Sequence, residues 1–111
     1  MTCSAYDLVL IPFPYADLRS SKKRPVLVLT APDRHGDFIA LAVTTVPQEE
    51  PAVPITSVDI VEGTLPKPSW IRVDKVFTLS SQNIIKPIGK IKSECAGVVL
   101  NGLCRIIGYG T

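Results

Sequence analysis

Apolar positions along this chain come in short runs cut by prolines, glycines and charged residues, a pattern that predicts short strands rather than long helices. Residues 7–11 predict a first strand, because Leu8, Val9, Leu10 and Ile11 are apolar and mostly β-favouring. Pro12 and Pro14 then end it or place it at an edge. Residues 15–23 read as a polar, basic loop, and 25–30 as a second strand whose Val26-Leu27-Val28-Leu29 run predicts burial on both faces. A turn over 33–37 leads to a third strand over 38–46, bounded by Pro47, and a proline-bearing acidic loop over 48–54 leads to a short strand over 55–61. After a loop at 63–68, residues 69–79 alternate: Trp70, Arg72, Asp74 and Val76 on one face, Ile71, Val73, Lys75 and Phe77 on the other. Residues 80–83 predict a turn or one helical turn, and 85–91 a last strand.

The period then changes. Ala96, Val99, Leu100, Leu103, Ile106 and Ile107 recur at three- and four-residue spacing, which predicts a helix up to Ile107. Ser93 is the expected N-cap, with Glu94 in the first turn and Gly108 as the C-terminal cap. Gly97 and Gly102 each weaken that helix by about 1 kcal/mol. Five to seven strands and one terminal helix, with neither repeat nor linker, predict a single domain over 1–111: a mainly β, strongly bent sheet or small partly open barrel.

Composition narrows the class. In 111 residues, 46% are hydrophobic and 20% charged, which supplies a core and argues against disorder. No secretory leader is expected, and the run 38–46 is too short to span a bilayer, so a cytoplasmic protein without membrane contact is expected. Cys3, Cys95 and Cys104 are odd in number, and the last two fall on opposite sides of the expected helix, so no disulfide framework is expected. The single His35 sits in the Asp33-Arg34-His35-Gly36 turn and no Cys/His spacing suits zinc, so neither metal nor cofactor is expected. Net charge is only +2, but Arg19, Lys22, Lys23 and Arg24 cluster with no acid among them. Such a run is either a solvated loop or a phosphate-binding one.

Three stretches carry a resemblance. The opening Tyr6-Asp7-Leu8-Val9-Leu10-Ile11-Pro12-Phe13-Pro14-Tyr15 with Ser21-Lys22-Lys23-Arg24-Pro25-Val26-Leu27-Val28-Leu29 resembles that of PemK/MazF-type toxins. So do Lys67-Pro68-Ser69-Trp70-Ile71-Arg72-Val73-Asp74-Lys75-Val76-Phe77-Thr78-Leu79 and Ile88-Gly89-Lys90-Ile91 before the final helix. Order, spacing and length together make the match specific, from about Tyr6 to about Ile107. The resemblance implies an SH3-like partly open barrel of the PemK/MazF/CcdB type and a homodimer. It also implies a cognate antitoxin protein as partner, with operator DNA reached only through the antitoxin complex. The implied activity is that of a toxin of a type II toxin–antitoxin system: an endoribonuclease cutting single-stranded RNA to leave a 2′,3′-cyclic phosphate and a 5′-hydroxyl. Two departures stand out. Tyr6 occupies a place where many relatives have Gly, and the loop offers Arg19, Ser20, Ser21, Lys22 and Lys23 where some have His or Glu, so no loop His role carries over.

Attack by a neighbouring 2′-hydroxyl needs a base, a donor for the leaving oxygen and positive charge for the phosphorane-like transition state. Arg24 joins the basic loop to a buried strand, and a guanidinium grips phosphate oxygens bidentately; the plain alternative is a strand-edge ion pair. Arg24-Pro25 matches the pair whose Arg is catalytic in the family. Thr44 stands where the family has a Thr on the scissile phosphate, although an isolated Thr is also an ordinary strand residue. Arg72 and Asp74 share a face and match an Arg-x-Asp of several relatives. Either they form a simple ion pair, or Arg72 stabilises charge while Asp74 acts as base. Lys22 and Lys23 are expected to contact the RNA backbone, with Phe13, Tyr15, Thr45 and Trp70 as further RNA contacts; Phe13 and Trp70 equally suit core packing. The alternative function is a catalytically silent module that binds an antitoxin or nucleic acid without cutting. Gyrase poisons, also in the superfamily, act through a Trp-containing tail, and Gly108-Tyr109-Gly110-Thr111 has no Trp.

Overall fold

Strands β1 (Asp7–Phe13), β2 (Lys22–Val28) and β3 (Asp37–Thr44) carry apolar residues on both faces, and the fold gives each face its own core. Leu8, Leu27, Leu41 and Val43 turn into one cluster; Val9, Ile11, Val26, Val28, Phe38 and Ala40 turn into the other, together with Cys3 and Ile84. This is the double-sided burial that unbroken apolar runs predict. The computed structural model describes residues 2–13 and 22–109. Four more strands follow: β4 (Val53–Ile55), β5 (Ile60–Gly63), β6 (Ser69–Ser80) and β7 (Lys86–Ile91). All seven join one antiparallel sheet in the order β4-β6-β3-β2-β1-β7-β5. The sheet curls into a half-barrel. Helix α1 (Ser93–Ile107) packs on β6 and β4 and closes the first cluster with Cys95, Ala96 and Val99.

Prolines fall where the ladders allow them. Pro12 lies past the last β7 partner, Leu10↔Lys86, so β1 runs on to Phe13 instead of stopping at Ile11. Pro25 lies one residue before the β3 ladder begins at Val26↔Ala42. Each therefore sits where its strand has a neighbour on one side only, which spares a ladder hydrogen bond. Lys22 and Lys23, expected in a loop, belong to β2, paired with Phe13 and Pro12; the other loop residues, 14–21, lie outside the described residues. The expected strand at 55–61 is two strands, β4 and β5, separated by a 3-10 turn Ser57–Asp59. Asp59 holds that turn by accepting the Thr56 N–H at 2.8 Å. The turn at 33–37 forms as expected: Asp33 accepts the N–H of His35 at 2.8 Å and of Asp37 at 3.0 Å, and Gly36 takes φ +81°.

Three local expectations are corrected. The alternation of 69–79 is broken by a bulge: one step on β3 from Ala42 to Leu41 spans four on β6 from Arg72 to Val76. The odd number of extra residues flips parity. Val76 therefore leaves the face of Arg72, and Phe77 joins Leu79 against the second cluster. Second, the N-cap of α1 is Lys92, not Ser93, because Lys92 is held extended by its N–H donating to the Asp59 carbonyl at 2.8 Å. Third, the apolar stripe of α1 is buried only near its start. Ile106 and Ile107 are exposed. Gly108 caps its end at φ +78°, as expected.

Candidate active site

The cleft begins where β2 and β3 part. Their ladder runs only from Val28↔Ala40 to Val26↔Ala42, although β2 reaches back to Lys22 and β3 runs on to Thr44. On the far side of β3, β6 keeps pairing, with Ala42↔Arg72 and Thr44↔Trp70. Paired residues share a face, as do residues two apart on one strand. Arg24, Ala42, Thr44, Trp70 and Arg72 therefore all face the side of the second cluster. A cavity of about 220 Å³ opens there, lined by Arg24, Ala42, Val43, Thr44 and Arg72. Both arginines and Thr44 are half-buried.

Thr44 is oriented by its own turn: its hydroxyl oxygen accepts the Val46 N–H at 3.1 Å. A hydroxyl has one proton and two lone pairs, so this leaves the proton to donate into the cleft. Asp74 stands in the bulge of β6. Its carboxylate lies 3.9 Å from the Arg72 guanidinium, close enough for charge attraction and too far for a hydrogen bond. It is outside the cavity wall and reaches the cleft only beside Arg72. Among the described residues, two guanidiniums and no carboxylate line the cavity. Each guanidinium is a planar fork of donors whose geometry suits phosphate oxygens. Lys22 and Lys23, both exposed on the same strand as Arg24, extend the positive surface.

Other expected contacts separate. Trp70 is half-buried between Thr44 and Pro54 in the register, at the cleft's border. Thr45 faces the opposite side and lines a different, larger cavity. Phe13 is the strand partner of Lys22, and Tyr15 lies outside the described residues. Ala42 was not singled out from the sequence. Its signal was there: Ala40 and Ala42 are the small residues of an otherwise bulky strand, and a small side chain opposite Arg72 leaves room for the guanidinium.

Solved structures share this architecture. A mycobacterial endoribonuclease in complex with its cognate antitoxin superposes with a TM-score of 0.76 at 17% identity, covering 96% of this chain and 95% of that one. MazF in a MazE–MazF complex from Deinococcus radiodurans gives a TM-score of 0.76 at 19% identity, covering 99% of each chain. The Mycobacterium tuberculosis toxin MazF-mt6 gives 0.73 at 19%, covering 95% of this chain and 99% of that one. At such identities these likenesses speak for the fold. No curated protein sequence matches significantly. The family model for PemK-like, MazF-like toxins of type II toxin–antitoxin systems matches residues 4–107, nearly the whole chain, and the protein belongs to that family.

Proposed function

We propose that the protein is the toxin of a type II toxin–antitoxin pair and cuts single-stranded RNA in the Arg24 cleft without a metal. The observation that carries this is the convergence of Arg24, Thr44 and Arg72, from three different strands, on one small cavity. A scissile phosphate fits between the two guanidiniums. Arg24 and Arg72 stabilise the charge that grows as the ribose 2′-oxygen bonds to phosphorus, and the Thr44 hydroxyl donates to a non-bridging oxygen. Asp74, at the side of Arg72, takes the 2′-hydroxyl proton. The bond from phosphorus to the 5′-oxygen breaks, that oxygen takes a proton from water, and the fragments end in a 2′,3′-cyclic phosphate and a 5′-hydroxyl. The nucleophile belongs to the substrate, so DNA of the same sequence is inert.

The family and the two complexes with antitoxins support an antitoxin protein as partner. Val98, Ile106 and Ile107 are exposed on α1, apolar surface that pairing of two chains would cover and that supports a homodimer. Sedimentation at micromolar concentration should give twice the 12.0 kDa chain mass, and a strict monomer would remove the dimer. The activity is tested by incubating mixed-sequence RNA and matching DNA with the protein in EDTA. RNA alone should be cut, with cyclic phosphate ends; intact RNA across all sequences, or cutting that EDTA abolishes, contradicts the reading.

A further inference from the structure

A larger cavity, of about 390 Å³, opens on the other side of the parting between β2 and β3. Its floor is aliphatic: Leu8 and Val43 of the first cluster, with Leu65 and Ile88 packed against them. Pro25 and Thr45 form the wall nearest the cleft, and each is the chain neighbour of a cleft residue, Arg24 and Thr44. Neighbours on a strand face opposite ways, and Val43 borders both cavities. The cationic cleft and the aliphatic cavity therefore share a wall made of two strand ends.

The chemistry of the rim is selective. Lys67 and Lys86, both exposed, stand there, and among the described residues no carboxylate lines the cavity. The hydroxyls of Thr45 and Thr64 each offer a donor and acceptors. Ser69 is already committed, its hydroxyl donating to the Lys67 carbonyl at 3.1 Å. An occupant that continues from the cleft must carry an anion and, one step along, a group that accepts burial against aliphatic carbon. Single-stranded RNA repeats that pair in every nucleotide: a phosphate and a base with an apolar face.

We propose that this cavity receives the unpaired base of a nucleotide beside the scissile phosphate and sets the base preference at that position. Lys67 and Lys86 hold the adjoining phosphates, while Thr45 and Thr64 read the edge of the base. The proposal rests on placing the phosphate in the Arg24 cleft.

The test maps cut sites in a randomised RNA pool for wild type and Thr64→Trp. The Thr64 side chain is exposed and only its N–H is engaged, donating to the Ile88 carbonyl at 3.4 Å, so tryptophan plugs the mouth of the cavity without breaking the fold. A thermal melt verifies that. Discrimination at one position flanking the cut should fall about tenfold, with the other positions unchanged. The same preference at every position as in wild type overturns the proposal and leaves the cavity to a protein segment. A second measurement needs no variant: binding of a 2′-deoxy, uncleavable oligonucleotide to wild type, with an abasic site walked through it. About a tenfold loss at one position sustains the base site even if wild type cuts no RNA, the result that would sink the enzyme reading alone. No loss at any position overturns the base site even if cutting is robust.

Discussion

At the scale of the residue, two details beside β1 show what the fold imposes. Tyr6 adopts φ +73°, the left-handed region. Its N–H donates to the Val28 carbonyl at 2.7 Å and its carbonyl accepts the Ile91 N–H at 3.1 Å, so β2 and β7 together fix this backbone. The conformation costs an L-residue roughly 1–2 kcal/mol, and the side chain offsets it by packing on the first cluster. Glycine, without a Cβ, carries no such cost. Tyr6→Gly should thus be more stable than Tyr6→Ala by about 1 kcal/mol, although both lose the ring; urea denaturation checks the order. The next residue links folding to pH. Burial pushes the Asp7 carboxyl up, but the Lys90 ammonium at 2.8 Å and the Ser4 N–H at 2.8 Å outweigh it and hold the carboxyl below its ordinary value. A carboxyl depressed in the fold stabilises it above the unfolded value, and that contribution is lost as pH falls through the lowered one. Asp7→Asn should lower stability at pH 7 by about 0.5–1 kcal/mol, a modest figure for a partly solvated pair, and the deficit should close as the pH drops below about 4.

At the scale of the element, glycines separate backbone demand from mere presence. Gly63 takes φ +80°, and a Cβ there would run into the Ile88 carbonyl oxygen, where β5 pairs with β7. Gly97, inside α1, has open space around a new Cβ. Gly63→Ala should cost about 2–4 kcal/mol and Gly97→Ala should gain about 0.5–1 kcal/mol, both read from denaturant midpoints. The existence and type of these elements were legible beforehand. The Val26-Leu27-Val28 run announced burial on two faces, and the three- and four-residue spacing announced α1. What escaped was set by long-range pairing. Nothing local marks Asp59, thirty-three residues before Lys92, as the acceptor that moves the helix cap by one residue. Nothing local marks the bulge after Arg72, because an alternating run looks the same whether or not its partner strand keeps step. Lys22 and Lys23 read as loop residues by charge, yet pairing with Pro12 and Phe13 makes them strand.

At the scale of the whole molecule, the sheet does for the site what no segment does alone. Arg24, Thr44 and Arg72 were named from their types and family positions; their shared cavity exists because β2 and β3 part while β3 and β6 stay paired. The second cavity had no signature in the sequence, since it draws its lining from β1, β2, β3, β6, β7 and the stretch between β5 and β6. With a net charge of only +2, the RNA binding we propose must come from the local cluster rather than from the molecule at large. Each phosphate contact adds about −0.7 to the slope of log K against log salt for single strands, so removing two of them, Lys22→Ala with Lys23→Ala, should flatten it by about 1.4. Titration of an uncleavable RNA across salt concentrations measures both.

The central claim is that a guanidinium at position 24 stabilises the phosphodiester as its own ribose attacks it. Single-turnover cleavage of one RNA by wild type and Arg24→Ala in EDTA, with thermal melts of both proteins alongside, tests it most directly. The account predicts cyclic phosphate ends from wild type and a rate lower by about 10²–10³ in a variant that still folds. An Arg24→Ala protein that folds and cuts at the wild-type rate contradicts it.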